Sequence, residues 1–230
     1  MNSEIASDQR QFETVVKMLS EAHATSVVGD KLPLYNTWAE NYEKDLVVLD
    51  YRAPSHVADI ISSHFTGDRE AAVVLDVACG TGLVAKTMKQ IGFKHFVGID
   101  GSQCMLEVAE KKGLYEELKL CVLLKEPIPV QKGSFDVVVM CGALVVDHVG
   151  VSVVRELADV CKPGGLVCMT CRHGQDNMEY KASLERELKQ MAEEGLWSCV
   201  VVREEEKWSK LVTGAGDSYR PGSAYLYKKL

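Results

Sequence analysis

Between residues 71 and 171 the chain alternates short β-branched apolar runs with amphipathic stretches, and no other feature constrains its fold as tightly. AAVVLDVA (71–78), HFVGID (95–100), LKLCVLL (118–124), SFDVVVMCG (134–142) and LVCMTC (166–171) read as strands. Each is too short and too continuously apolar to be a surface helix. GTGLVAKTMKQIG opens as a glycine turn and continues as a helix ending near Gly92. SQCMLEVAEKKG (102–113) has Ser102 as an N-cap and Gly113 as a C-terminal stop. VGVSVVRELADVCK (149–162) is a helix halted by Pro163-Gly164-Gly165. A long charged helix over 176–194 and two strands, near 197–208 and 223–228, complete the pattern. Continuous apolar strands separated by helices predict a mostly parallel sheet covered on both faces. The expected fold is α/β, a Rossmann-like sheet of seven strands.

The first 70 residues are helical in pattern. Phe12, Val15, Val16 and Leu19 recur at helical spacing, as do Tyr35, Trp38, Ala39 and Tyr42, and Pro54 can open a third helix. This region is too small to fold alone, so a single domain over 1–230 is expected, with 1–70 as a helical lid on a 71–230 core. No apolar run approaches the ~18 residues of a membrane span, and the start lacks a signal-peptide core. The expected location is the cytoplasm or nucleus, away from membranes, and a monomer is expected. A net charge of −7 argues against a dedicated nucleic-acid binder, whose affinity comes from basic contacts to phosphate.

Of the eight cysteines only Cys168 and Cys171 have CxxC spacing. They lie within a predicted strand, where residues three apart point to opposite faces, so they are expected to pack in the core rather than bind metal. No metal site is expected.

The segment that carries chemistry is VVLDVACGTG (73–82), between the first strand and its helix. Gly80 and Gly82 let the backbone turn sharply and approach a ligand, at a helix N-terminus where free N–H groups project. Asp100 ends the second strand, 20 residues after Gly80. An acidic residue there can accept both hydroxyls of an adenosine ribose. The glycines alone also fit a dinucleotide fingerprint. Asp76 favours another ligand: a carboxylate beside the loop repels a pyrophosphate but can accept from an ammonium group or loop N–H groups. S-adenosylmethionine offers a cation and an amino acid where NAD offers phosphates. The chain is also short for a dehydrogenase with a separate catalytic domain.

LDVACGTG, GIDGSQCML, GSFDVVVMCGAL and KPGGLVCMT resemble, in order and spacing, the successive motifs of class I S-adenosylmethionine-dependent methyltransferases. YNTWAENYEKDL is similar to a lead-in found in one methyltransferase-like branch of that family. The resemblance implies S-adenosylmethionine as cofactor and S-adenosylhomocysteine as product. It implies that Asp76 faces the methionine amino group, directly or through water, and that Ala78, Gly80 and Gly82 line that moiety. Asp100 would hold the ribose, with Gly101, Ser102 and Met105 beside ribose and adenine. Leu124 and Lys125 would pass along the adenine edge, although many relatives carry Gly-Asp-Ala in that stretch. Cys141 and Gly142 would border the reacting methyl, with Cys79 close by. Tyr35 and Trp38 would close over the cofactor from the N-terminal helices.

Methyl transfer is an in-line displacement for which the protein mainly supplies proximity and alignment. A general base is needed only for a protonated nucleophile; Asp147, His148 and His173 are candidates, and no catalytic residue is assigned. The acceptor is left open between a small molecule and a protein. An NAD-dependent reductase and a non-catalytic S-adenosylmethionine-binding protein are the alternatives.

Overall fold

The computed structural model describes residues 14–15, 31–210 and 218–230. Three helices come first: α1 (Leu32–Trp38), α2 (Tyr42–Val48) and α3 (Ala53–His64). Then follow β1 (Val73–Val77), α4 (Leu83–Gln90), β2 (His95–Asp100), α5 (Gln103–Lys111), β3 (Glu117–Leu120) and β4 (Phe135–Met140). After these come α6 (Val153–Val160), β5 (Cys161–Arg172), a 3₁₀ turn (Gln175–Asn177), α7 (Met178–Glu193), β6 (Trp197–Lys210) and β7 (Tyr219–Lys229). Seven strands form one sheet in the order β3-β2-β1-β4-β5-β7-β6. β7 runs antiparallel to both β5 and β6, and every other pairing is parallel. The expected α/β architecture is therefore present.

Strand alternation sorts the core into two layers. Leu75, Val77, Val138 and Met140 face one layer with Leu157 of α6 and Leu184 and Leu188 of α7. Val74, Val137 and Val139 face the other with Val57 and Ile61 of α3 and Ala85 and Met88 of α4. The same rule separates the two CxxC cysteines: Cys168 lies in the second layer and Cys171 in the first. Both thiols are buried and free, as the spacing on a strand requires.

Several boundaries differ from the sequence reading. The aromatic segment after residue 31 is two short helices rather than one, with Trp38 Nε1 donating to Asp45 across the break at 2.6 Å. β3 is four residues long, ending at Leu120 rather than 124. The chain then turns, with Leu124 at φ +63° and a bridge between Leu123 and Glu126. Of the expected helix near residues 10–22, only Thr14 and Val15 are among the described residues; they are helical, and Val15 packs against Leu46 and Leu49.

Gly222 in β7 lets Trp208 of β6 lie flat on the strand. A Cβ at Gly222 would sit 2.4 Å from the indole. Gly222→Ala is expected to lower stability by ~1–3 kcal/mol, the range for overpacking a filled core, which thermal or denaturant unfolding measures directly.

Candidate active site

In this strand order the chain reverses direction across the sheet between β1 and β4, and a crevice opens beyond their carboxyl ends. Water centres have access to about 150 Å3 there. That is room for roughly ten waters, or on the order of 300 Å3 of liquid, the lower end of the size range of small-molecule pockets.

The glycine loop forms one wall. Gly80 has φ +54° and a Cβ there would meet no atom within 4 Å, so its backbone faces open cleft. Ala78 also takes a positive φ, +56°. Asp100 fixes this loop to the next: its Oδ2 accepts from the Gly80 N–H at 2.7 Å and its Oδ1 from the Ser102 N–H at 2.8 Å. Each oxygen keeps a lone pair for a further donor. Burial pushes the Asp100 pKa up, opposed by these backbone bonds. Ser102 caps α5 by accepting from Met105 N–H at 3.2 Å, as the sequence indicated.

Helices α1 and α2 form the facing wall. Leu32, Tyr35 and Tyr42 line the cleft. Ser102 donates to Asn36 at 2.6 Å, Thr81 donates to Glu43 at 2.7 Å, and Lys112 reaches both Glu43 and the Thr81 carbonyl. These bonds join α1 and α2 to α5 and to the glycine loop. The Tyr35 hydroxyl lies 2.9 Å from His148 Nε2, which ties α1 to the loop after β4.

Half of the residues expected at the site line the cleft: Tyr35, Ala78, Gly80, Asp100, Gly101, Met105 and Cys141. Trp38, Asp76, Cys79, Gly82, Ser102, Leu124 and Lys125 do not. Trp38 turns away to Asp45, and Tyr42, edge-on to it, takes the cleft position. Gly82 has φ +93° and abuts Tyr115, behind the loop. Leu124 is 40% exposed because β3 ends early, and Cys121, Val122 and Leu123 line the wall in its place. The sequence reading also missed Lys31 and Val149. Asp147 and His148, singled out only as possible bases, are wall residues too.

Asp76 lies below the glycine loop, 1% exposed. Its Oδ2 accepts from the Tyr115 hydroxyl at 2.8 Å, and its Oδ1 is buried with no partner. Burial raises its pKa to about 7, against the pull of the Tyr115 bond, and the charge of Asp100 raises it further. Cys141, at the end of β4, has its thiol pushed up to about 12, mainly by burial. It is a neutral wall at physiological pH and not a competing nucleophile. Burial likewise holds the Tyr35 hydroxyl up at about 12.

These features define a class: a doubly wound α/β protein with a cleft at its topological switch point, a glycine loop and a carboxylate on the cleft wall. Residues 74–165 match the model of a methyltransferase domain family. The chain is 43% identical over 180 residues to human Methyltransferase-like protein 27, covering 78% of this chain and 73% of that protein. In fold it is similar to a TehB-like methyltransferase from Corynebacterium glutamicum (TM-score 0.56, 16% identity, 84% of this chain and 99% of that one). It is also similar to geranyl diphosphate C-methyltransferase from Streptomyces coelicolor, solved with Mg2+, geranyl diphosphate and S-adenosylhomocysteine (TM-score 0.55, 18% identity, 82% and 85%). The chain belongs to the class I S-adenosylmethionine-dependent methyltransferase family. Its relationship to the human methyltransferase-like protein extends beyond the matched domain to most of both chains.

Proposed function

We propose that this protein binds S-adenosylmethionine in the β1–β4 cleft and transfers its methyl group to a small-molecule acceptor. The observation that carries this reading is Asp100, which lines the cleft with both oxygens anchored by backbone N–H groups and a lone pair left on each. That arrangement suits a vicinal diol and places the adenosine along Gly101, Met105 and Leu123. The orphaned Oδ1 of Asp76 suits a cation beyond the loop, acting through the loop or a bridging water. Asp76 would be a poor neighbour for a pyrophosphate.

When bound, S-adenosylmethionine supplies a methyl group on a sulfonium. The chain's own contribution is alignment and exclusion of water. Asp100 and the glycine loop fix the nucleoside. Cys141 and Gly142 wall the reacting end, with Gly142 held by donation of its N–H to Thr170 Oγ1 at 2.8 Å. Tyr35 and Tyr42 cover the cleft from α1 and α2, and these helices act as a lid on a single domain. His148 Nε2, 2.9 Å from the Tyr35 hydroxyl, is the group on the wall best able to take a proton from an acceptor.

The test is transfer of labelled methyl from S-adenosylmethionine to the small-molecule fraction of a cell extract. Label in that fraction supports the reading. Label only in protein redirects the acceptor class, and cofactor binding without any transfer favours a binding protein. The lid has its own readout. Amides in α1 and α2 are expected to gain hydrogen-exchange protection when S-adenosylhomocysteine binds; equal protection with and without it contradicts a lid.

A further inference from the structure

A second, wider and more open hollow lies on the same edge of the sheet, beyond β5. It is bounded by Gly174 to Asn177, by Lys181 and Glu185 in the first turns of α7, and by Arg220 near the start of β7. Asn177 joins it to the cofactor cleft. Its buried side chain accepts from the Val146 N–H at 2.8 Å and donates to the Arg172 carbonyl at 2.8 Å. The loop that places Asp147 and His148 on the cleft wall and the loop that forms the hollow are thus clipped together.

The hollow is lined by two acids, Asp176 and Glu185, and two bases, Lys181 and Arg220, but the acids are bonded elsewhere. Arg172 is paired with Asp176 through bonds of 3.0 and 2.5 Å. Lys181 is paired with Glu185 at 2.8 Å, and Glu185 also accepts from the Tyr225 hydroxyl. Arg220 is left over: it is half-buried and has no hydrogen-bond or ion-pair partner among the described residues. On the cleft side Lys31 is 5% exposed, and its amine meets His148 Nδ1 at 3.3 Å with no carboxylate in ion-pair range among the described residues. Arg172 stands between the two. Burial lowers the pKa of Lys31 and of Arg220, and the Arg172 charge depresses both as well, while Asp147 pulls Lys31 and Asp176 pulls Arg220 the other way without bonding to them. A cation withdrawn from water without a counter-charge is costly, and an anionic ligand relieves that cost.

We propose that the methyl acceptor is a small molecule with an anionic end, a carboxylate or a phosphate, and that this end seats against Arg220, with Arg172 and Lys31 extending the positive field toward the cofactor cleft. The inference rests on the methyltransferase reading of the cleft and deepens it by naming the acceptor class. The anionic end is the anchor, so the methyl-accepting atom lies elsewhere on the molecule, nearer Cys141.

The experiment loads the full chain with S-adenosylhomocysteine and titrates it, at low ionic strength, with succinate and separately with inorganic phosphate. Saturable binding of at least one anion is expected, weakened tenfold or more by Arg220→Gln and largely restored by Arg220→Lys. Lys94→Gln, on an exposed ion pair with Glu70, serves as the control and leaves it unchanged. The anion that binds identifies the source, carboxylate or phosphate. Absence of saturable binding for both anions, or wild-type affinity in Arg220→Gln, overturns the proposal. The loading step is scored first. Failure to bind S-adenosylhomocysteine overturns the methyltransferase reading, whereas loading followed by indifference to both anions overturns the acceptor class alone.

Discussion

Asp100→Ala is expected to weaken S-adenosylhomocysteine binding by about a hundredfold or more, measured by calorimetry. The figure follows from two charge-assisted hydrogen bonds to a ribose, each worth ~1.5–3 kcal/mol, at ~1.4 kcal/mol per tenfold. Part of the loss comes through the loop, because Gly80 N–H and Ser102 N–H lose their acceptor. Gly80 lines the cleft, where water can replace the acceptor, but Ser102 is buried and its N–H is left unpaired, so stability should fall by ~1–3 kcal/mol. Affinity within threefold of the native value would mean that the ribose is not held here.

The second large effect concerns Asp76 and pH. Its folded-state pKa, about 7, lies above the ordinary value of 3.8. Between those values the folded state holds a proton that the unfolded chain has released, so this group makes stability fall as pH rises through the window. Above pH 7 the penalty is fully developed, on the order of 4 kcal/mol for a shift of ~3 units. Asp76→Asn removes the titration while keeping a group that can pair with Tyr115. The unliganded variant should therefore gain roughly 3 kcal/mol over the native protein between pH 5 and pH 8.5, in parallel urea unfolding series. A difference that does not change with pH contradicts the assignment. With cofactor bound, the penalty should shrink, because a nearby cation favours the ionised carboxylate.

The layered sheet was legible in the sequence because burial on both faces leaves runs such as VVLDV and FDVVVM apolar but for one aspartate each. The glycine loop, Asp100 and the Ser102 cap were legible because each answers a local backbone need that few residue types can meet. Other positions were decided by tertiary contacts. Trp38 and Tyr42 share an aromatic stripe, and nothing in the stripe itself reveals that Asp45 draws the indole away from the cleft. Cys121, Val122 and Leu123 line the cleft where Leu124 and Lys125 were expected, because β3 stops at Leu120 and the chain turns at Leu124. Asp76 was recognised from its position beside the glycines, but its partner, Tyr115, follows α5 and is 39 residues away. Arg220 and Lys31 gave no signal at all, since a cation with no bonded carboxylate is recognised only once its neighbours are known.

Titration of the full chain with S-adenosylhomocysteine, S-adenosylmethionine and NADH by isothermal calorimetry tests the central claim most directly. Saturable binding of both sulfur nucleosides, with Kd on the order of micromolar and no heat from NADH, is the predicted result. Tight NADH binding with no response to S-adenosylhomocysteine would contradict it.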